Sequence, residues 1–192
     1  MAVDMTKGTK GPKGVWKISK SEAVSRVAAD HLDQVLHPQF EGNDSKVLAK
    51  GLAASPGAAV GKVYFTADEA ADAADRGEKV ILVRNETSPE DVHGMMVSQG
   101  ILTARGGLVS HAAVVARGWG TPAVVGAEAI KISGKQLSVG DATVREGDII
   151  SLDGTTGNIV VGEVKLSSAK PPKEFDIVLK WADEIRKGKL AV

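Results

Sequence analysis

Short apolar runs bounded by glycine, proline or charge recur along this chain, and between them lie stretches whose apolar residues fall at helical spacing. The clearest run, KVILVR at 79–84, is apolar without alternation, the pattern of a strand buried on both faces. Further strands are expected at 47–52 and 60–66, joined by a turn in AASPGAA at 53–59, and at Gly100–Thr103. A short strand with a Ser133-Gly134-Lys135 turn is expected at 130–137, followed by strands at 149–152 and 159–164. The last two are joined by DGTTGN, a tight hairpin signal. Helical spacing predicts a helix from near Glu22, capped by Ser19 or Ser21, with Val24, Val27, Ala28 and Leu32 on one face and an end at Leu36, His37 and Pro38. Others are expected at 67–75, stopped by Gly77; at 91–97 behind Ser88-Pro89; at 111–117; and at 175–185, with Phe175, Val178, Leu179, Ala182 and Ile185 on one face and Trp181 at its edge. Strands and helices mixed in this way predict a compact α/β domain. The Lys- and Gly-rich stretch 6–17 reads as a solvated loop, and 167–173 as a linker stiffened by Pro171-Pro172.

Composition narrows the function. Lys plus Arg and Asp plus Glu number 24 each in 192 residues, so the net charge is zero, and a general nucleic-acid or membrane-surface binder is not expected. Cysteine is absent, which excludes disulfides and thiolate metal sites. No apolar run approaches the ~20 residues of a membrane span, and the N-terminus lacks the apolar core of a secretory signal. Cytoplasmic residence is the expectation, with organelle import left open.

The candidate chemistry gathers in GILTARGGLVSHAAVVARGWGTPAVVG, 100–126. A strand leads into Arg105, Gly106 and Gly107; adjacent glycines let a ligand approach the main chain closely. Ser110 can cap a helix whose first residue is His111, with Gly118 as its stop and Pro122 as a confirming breaker before a strand at 122–126. The first helical turn carries unpaired N–H groups and a partial positive charge, which suits phosphate and disfavours imidazolium, so His111 is expected to be neutral and nucleophilic. Arg105 and Arg117 flank it and can grip phosphate oxygens. A neutral imidazole attacking phosphorus gives a phosphohistidine. On spacing alone, a histidine at a helix start is more often a capping or satisfied surface residue than a nucleophile. His93 has no partner histidine at metal-ligating spacing and reads as surface, beside core methionines Met95 and Met96. His31 reads as surface and His37 as a linker residue. Asp153 reads as a turn residue.

The run TARGGLVSHAAVVARGWGTPAVVG resembles the phosphohistidine motif of the phosphoenolpyruvate-utilising enzymes, whose members include pyruvate phosphate dikinases, phosphoenolpyruvate synthases and enzyme I of the sugar phosphotransferase system. Three flanking stretches are similar to the dikinase branch: ISKSEAVSRVAADHLDQVLHPQF, NETSPEDVHGMMVSQGILTARGG and WADEIRKGK. The resemblance implies a swivelling β/β/α phosphohistidine domain at 46–166, between an N-terminal linker with a helix (1–45) and a C-terminal linker helix (167–192). It implies that His111 accepts a phosphoryl group from a nucleotide-binding domain and passes it to pyruvate on a barrel domain, reversibly, with Arg105, Gly106, Gly107, Ser110 and Arg117 stabilising phosphate. It places no metal or cofactor on this chain, assigns Mg2+ to other domains, and implies a homodimer for the whole enzyme.

Neither partner domain is expected within these residues. They show no Walker-type lysine loop, and 192 residues cannot also hold a barrel of typically ~250. Turnover by this chain alone is not expected, and a synthase-like carrier or a non-catalytic phosphate- or partner-binding module are the alternatives. Many relatives carry a regulatory threonine two positions before the histidine; here that position is Val109, which leaves Ser110 as the only adjacent hydroxyl. Trp119 and Thr121 also depart from many dikinases.

Overall fold

The computed structural model describes residues 9–11, 14–16, 18–27, 37–41, 46–167 and 173–187. The chain divides into two compact units, Met1–Leu36 with Ala169–Val192, and His37–Ser168.

In the first unit, strands β1 (Thr9–Gly11) and β2 (Gly14–Trp16) pair antiparallel, which corrects the expectation of a loop throughout 6–17. Helix α1 (Lys20–Ser25) is capped by Ser19, whose Oγ accepts from the Glu22 N–H at 3.1 Å. It ends by Arg26, short of the expected length; Ala28, His31 and Leu32 lie outside the described residues. Its partner is the long C-terminal helix Lys173–Arg186: Lys20 Nζ lies 3.2 Å from Glu184 and 5.7 Å from the centre of the Trp181 ring.

The second unit is built on strands β3 (Val47–Lys50), β4 (Leu52–Ser55), β5 (Ala58–Tyr64), β6 (Val80–Arg84), β7 (Gly100–Thr103) and β8 (Ala123–Val125), a small sheet of β9 (Lys131–Ser133), β10 (Gln136–Val139) and β11 (Ala142–Arg145), and the hairpin β12 (Ile149–Asp153) and β13 (Asn158–Val161). The large sheet runs β3-β13-β12-β5-β6-β7-β8-β4, with β5 to β8 parallel and the other pairs antiparallel. Its two edge strands are separated in sequence only by Gly51. Successive Cα atoms lie about 3.8 Å apart, so the sheet must curl until its edges nearly meet. Gly157 makes the closure possible: its carbonyl accepts from the Gly51 N–H at 2.9 Å, and a Cβ on it would lie 2.2 Å from the Gly51 carbonyl oxygen. The strand expected at 47–52 therefore breaks at Gly51, and the expected turn at 53–59 shrinks to Pro56-Gly57. Its small residues look turn-like, yet Leu52 and Ala53 pair with Val125 and Val124.

Strand β6 bears out the two-sided reading. Ile81 and Val83 join the core beneath the small sheet, with Leu102, Leu137, Ile150 and Leu152. Val80 and Leu82 join the opposite core, with Ile101, Met95 and the buried alanines of the helices. All four are fully buried, each contributing about 1.5–3 kcal/mol. The helices on that second face are α2 (Ala67–Asp75), α3 (Val92–Val97), entered by a 3-10 turn at Pro89–Asp91, and α4 (His111–Trp119). Met95 is core as expected, whereas Met96 is largely exposed, because α3 presents only one face to the sheet. Helix α4 runs past Gly118 to Trp119; the stop is Gly120, at φ 70°, whose N–H reaches the Ala116 and Arg117 carbonyls. The C-terminal helix of the first unit, α5 (Lys173–Arg186), buries none of its residues fully.

Candidate functional site

The parallel strands place the site. Arg84 at the end of β6 pairs with Thr103 at the end of β7, so the loops that follow, 85–88 and 104–110, emerge side by side. They are tied together at their base: the Ala104 N–H donates to the Arg84 carbonyl at 3.0 Å and the Arg105 N–H to the Asn85 carbonyl at 2.9 Å.

The second loop delivers His111. Gly106 adopts φ 102°, open to glycine alone at no cost, and a Cβ there would press on the Ser110 side chain at 3.0 Å. The Ser110 N–H then closes a turn on the Gly107 carbonyl at 2.9 Å, and Ser110 Oγ accepts from the Ala113 N–H at 3.4 Å. Ser110 is thus the cap and His111 the first helical residue, with the amides ahead of Ala113 outside the intrahelical ladder. Ala112, Ala113 and Ala116 are buried against the sheet, which leaves the half-buried His111 and the exposed Val114 on the outer side.

The first loop supplies the contact the sequence did not reveal. Thr87 Oγ1 lies 3.1 Å from His111 Nδ1. No spacing rule links a loop threonine to a histidine 24 positions later; only the β6–β7 pairing does. Beside it, a Ser88 side-chain hydrogen bond holds the Glu90 carboxyl below its ordinary value, helped by Glu90's own backbone N–H.

The two arginines part company. Arg117 folds back: its Nε donates to the Ala113 carbonyl at 3.1 Å and its Nη2 to the Leu108 carbonyl, fastening the glycine loop to the helix. Arg105 is exposed and borders a depression of about 550 Å³ lined also by Asn85, Glu128 and Lys131. Gly107 faces open space. Val109 is 90% exposed at the loop tip, beside the half-exposed Leu108.

The other singled-out residues fall outside this group. His93 is a half-exposed partner of Asp68, at 2.9 Å. Asp153 is a turn acid: Oδ1 accepts from the Thr155 N–H at 2.9 Å and Oδ2 from the Thr156 hydroxyl at 2.6 Å. Among the described residues, no cluster of three or more His, Asp or Glu is grouped to hold a metal ion, and no helix is long and apolar enough to cross a membrane.

Residues 76–157 match the family described as PEP-utilising enzyme, mobile domain. The chain is 48% identical over 195 residues to pyruvate, phosphate dikinase 1, chloroplastic, of Arabidopsis thaliana, covering 99% of this chain and 20% of that protein. It is 53% identical over 174 residues to pyruvate, phosphate dikinase of Clostridium symbiosum, covering 88% and 20%. The Rhizobium meliloti protein of that name is 47% identical over 173 residues, covering 88% and 19%. The chain thus spans about a fifth of the length of these relatives.

Proposed function

We propose, for a chain whose residues 76–157 belong to the mobile-domain family of phosphoenolpyruvate-utilising enzymes, that it is the phosphoryl carrier of a pyruvate phosphate dikinase, with His111 as the carrier. One observation supports this above the others: the family's histidine is the first residue of a capped helix, and Thr87 engages its Nδ1. With Nδ1–H donating to Thr87 Oγ1, the Nε2 lone pair is free to attack phosphorus. Nε2 attacks the β-phosphorus of ATP and AMP leaves; inorganic phosphate then takes the terminal phosphoryl group as pyrophosphate, so that one phosphoryl group stays on Nε2. The phosphoryl group then passes to the enolate oxygen of pyruvate, which releases Nε2. First-turn amides, the Gly106–Gly107 loop and Arg105 stabilise the charge on the moving group, and Arg117 holds the loop in place.

The donor and acceptor sites belong to an ATP-binding domain and a pyruvate-binding barrel domain of the same enzyme, with Mg2+ on those domains and the whole enzyme a homodimer. The identity to dikinases across nearly the whole chain favours this over a synthase-like carrier. Mixing the chain with a phosphorylated ATP-binding domain of a relative tests the reading. Transfer of an acid-labile, base-stable phosphoryl group to this chain, and its discharge by a barrel domain with pyruvate, is expected. Absence of transfer leaves a non-catalytic binding module.

A further inference from the structure

Thr87 can orient His111 only if its own loop is fixed, and the loop is held from behind by a buried charge. Asp91 is 5% exposed. Its Oδ2 accepts from the Ser88 N–H at 2.9 Å and lies 3.3 Å from the Ser88 hydroxyl. Its Oδ1 faces Arg84 Nε at 3.2 Å, an ion-pair contact too bent to count as a hydrogen bond. Arg84 is anchored in turn, with Nη1 donating to the Phe65 carbonyl at 2.9 Å. A carboxylate this buried needs its partners. Capping a single 3-10 turn does not require an arginine from the neighbouring strand. The pair spans the loop: Arg84 ends β6, Asp91 closes the 3-10 turn, and Asn85 to Ser88 lie between with Thr87 against His111.

We propose that Arg84 and Asp91 are positioning residues that fix the His111 tautomer through Thr87. The tautomer claim stands on this geometry; its consequence for phosphoryl transfer rests on the carrier reading. With the pair intact, Nδ1–H is held on Thr87 Oγ1 and Nε2 is the basic nitrogen. With the pair broken, the loop shifts, the contact is lost and the ring returns to the mixture of tautomers of an unrestrained imidazole.

The test uses the 192-residue chain with 15N-labelled histidine, as wild type, Asp91→Asn, Arg84→Lys, Thr87→Val and the Asp91→Asn/Thr87→Val double variant. Ring 15N shifts report the tautomer. Phosphoramidate serves as a chemical donor: Nε2 bonds to phosphorus, the P–N bond breaks and ammonia leaves. Wild type is expected in the Nδ1–H form, and each single variant in a mixture, with phosphoryl uptake slowed about tenfold or more. The double variant is expected to be no slower than Thr87→Val alone, because Asp91 acts through Thr87. Wild-type 15N shifts in Asp91→Asn, or an equal slowing by Asp91→Asn with and without Thr87, overturns the proposal. Arg84→Lys, at a half-exposed site, decides the matter by the same readouts if Asp91→Asn does not fold. A wild type that takes up no phosphoryl group counts against the carrier reading, and the 15N shifts still decide this one.

Discussion

Arg117 and Leu108 are joined across nine residues: the guanidinium at the end of α4 donates to the carbonyl in the middle of the glycine loop, while its Nε stays on the Ala113 carbonyl of its own helix. Arg105, at the loop's other end, is exposed and borders a depression with Asn85, Glu128 and Lys131. The two arginines therefore differ in what they support. Arg117→Ala is expected to cost about 1 kcal/mol of stability and to slow phosphoryl uptake, with loop amides exchanging faster by hydrogen exchange. Arg105→Ala is expected to leave stability within about 0.5 kcal/mol of wild type and to slow uptake alone. Equal losses of stability would remove the distinction.

Gly106 and Gly107 are adjacent but not equivalent. Gly106→Ala forces a side chain into φ 102° and against Ser110, with an expected cost of about 1–3 kcal/mol and loss of the helix cap. At Gly107 a Cβ meets nothing within 4 Å, so Gly107→Ala is expected within about 0.5 kcal/mol of wild type. Thermal melts of the two variants check the order.

Much of this was legible in the sequence. The helix start at Ser110-His111, the two-sided burial of 80–83 and the DGTTGN hairpin follow from local signals that tertiary packing leaves alone. What stayed hidden depends on partners remote in sequence. Thr87 reaches His111 only because β6 and β7 are neighbours. Arg117 reads as a phosphate ligand until the Leu108 carbonyl is seen beside it. The break at Gly51 sends one strand to both edges of a curled sheet, a closure no run of small residues announces. Gly118 reads as the helix stop because a glycine there looks sufficient; the left-handed turn falls at Gly120 instead.

Two surface clusters contribute to the acid limb of stability. Lys135 holds the Glu69 carboxyl below its ordinary 4.5, with Thr66 assisting, and Lys62 holds that of Glu78 below the same value, with Tyr64 assisting. A carboxyl depressed by folding contributes stability that is present above its unfolded pKa and lost as pH falls through the folded one. The melting temperature is therefore expected to fall below pH 4.5, and Lys135→Ala to flatten that fall, since it removes the charge that Glu69 and Glu146 share. Melts at pH 7, 4.5 and 3 read this out. A Lys135→Ala variant with an unchanged acid slope would show the cluster to be inert.

The central claim is that His111 is the residue that carries the phosphoryl group. The measurement is mass-spectrometric mapping of the chain after phosphoramidate or a phosphorylated donor domain, in wild type and His111→Ala, with melting curves for both. The expected result is a single acid-labile, base-stable phosphoryl group on His111, absent from a His111→Ala chain that melts close to wild type. Label retained in His111→Ala, or mapped in wild type to any other residue, would contradict the account.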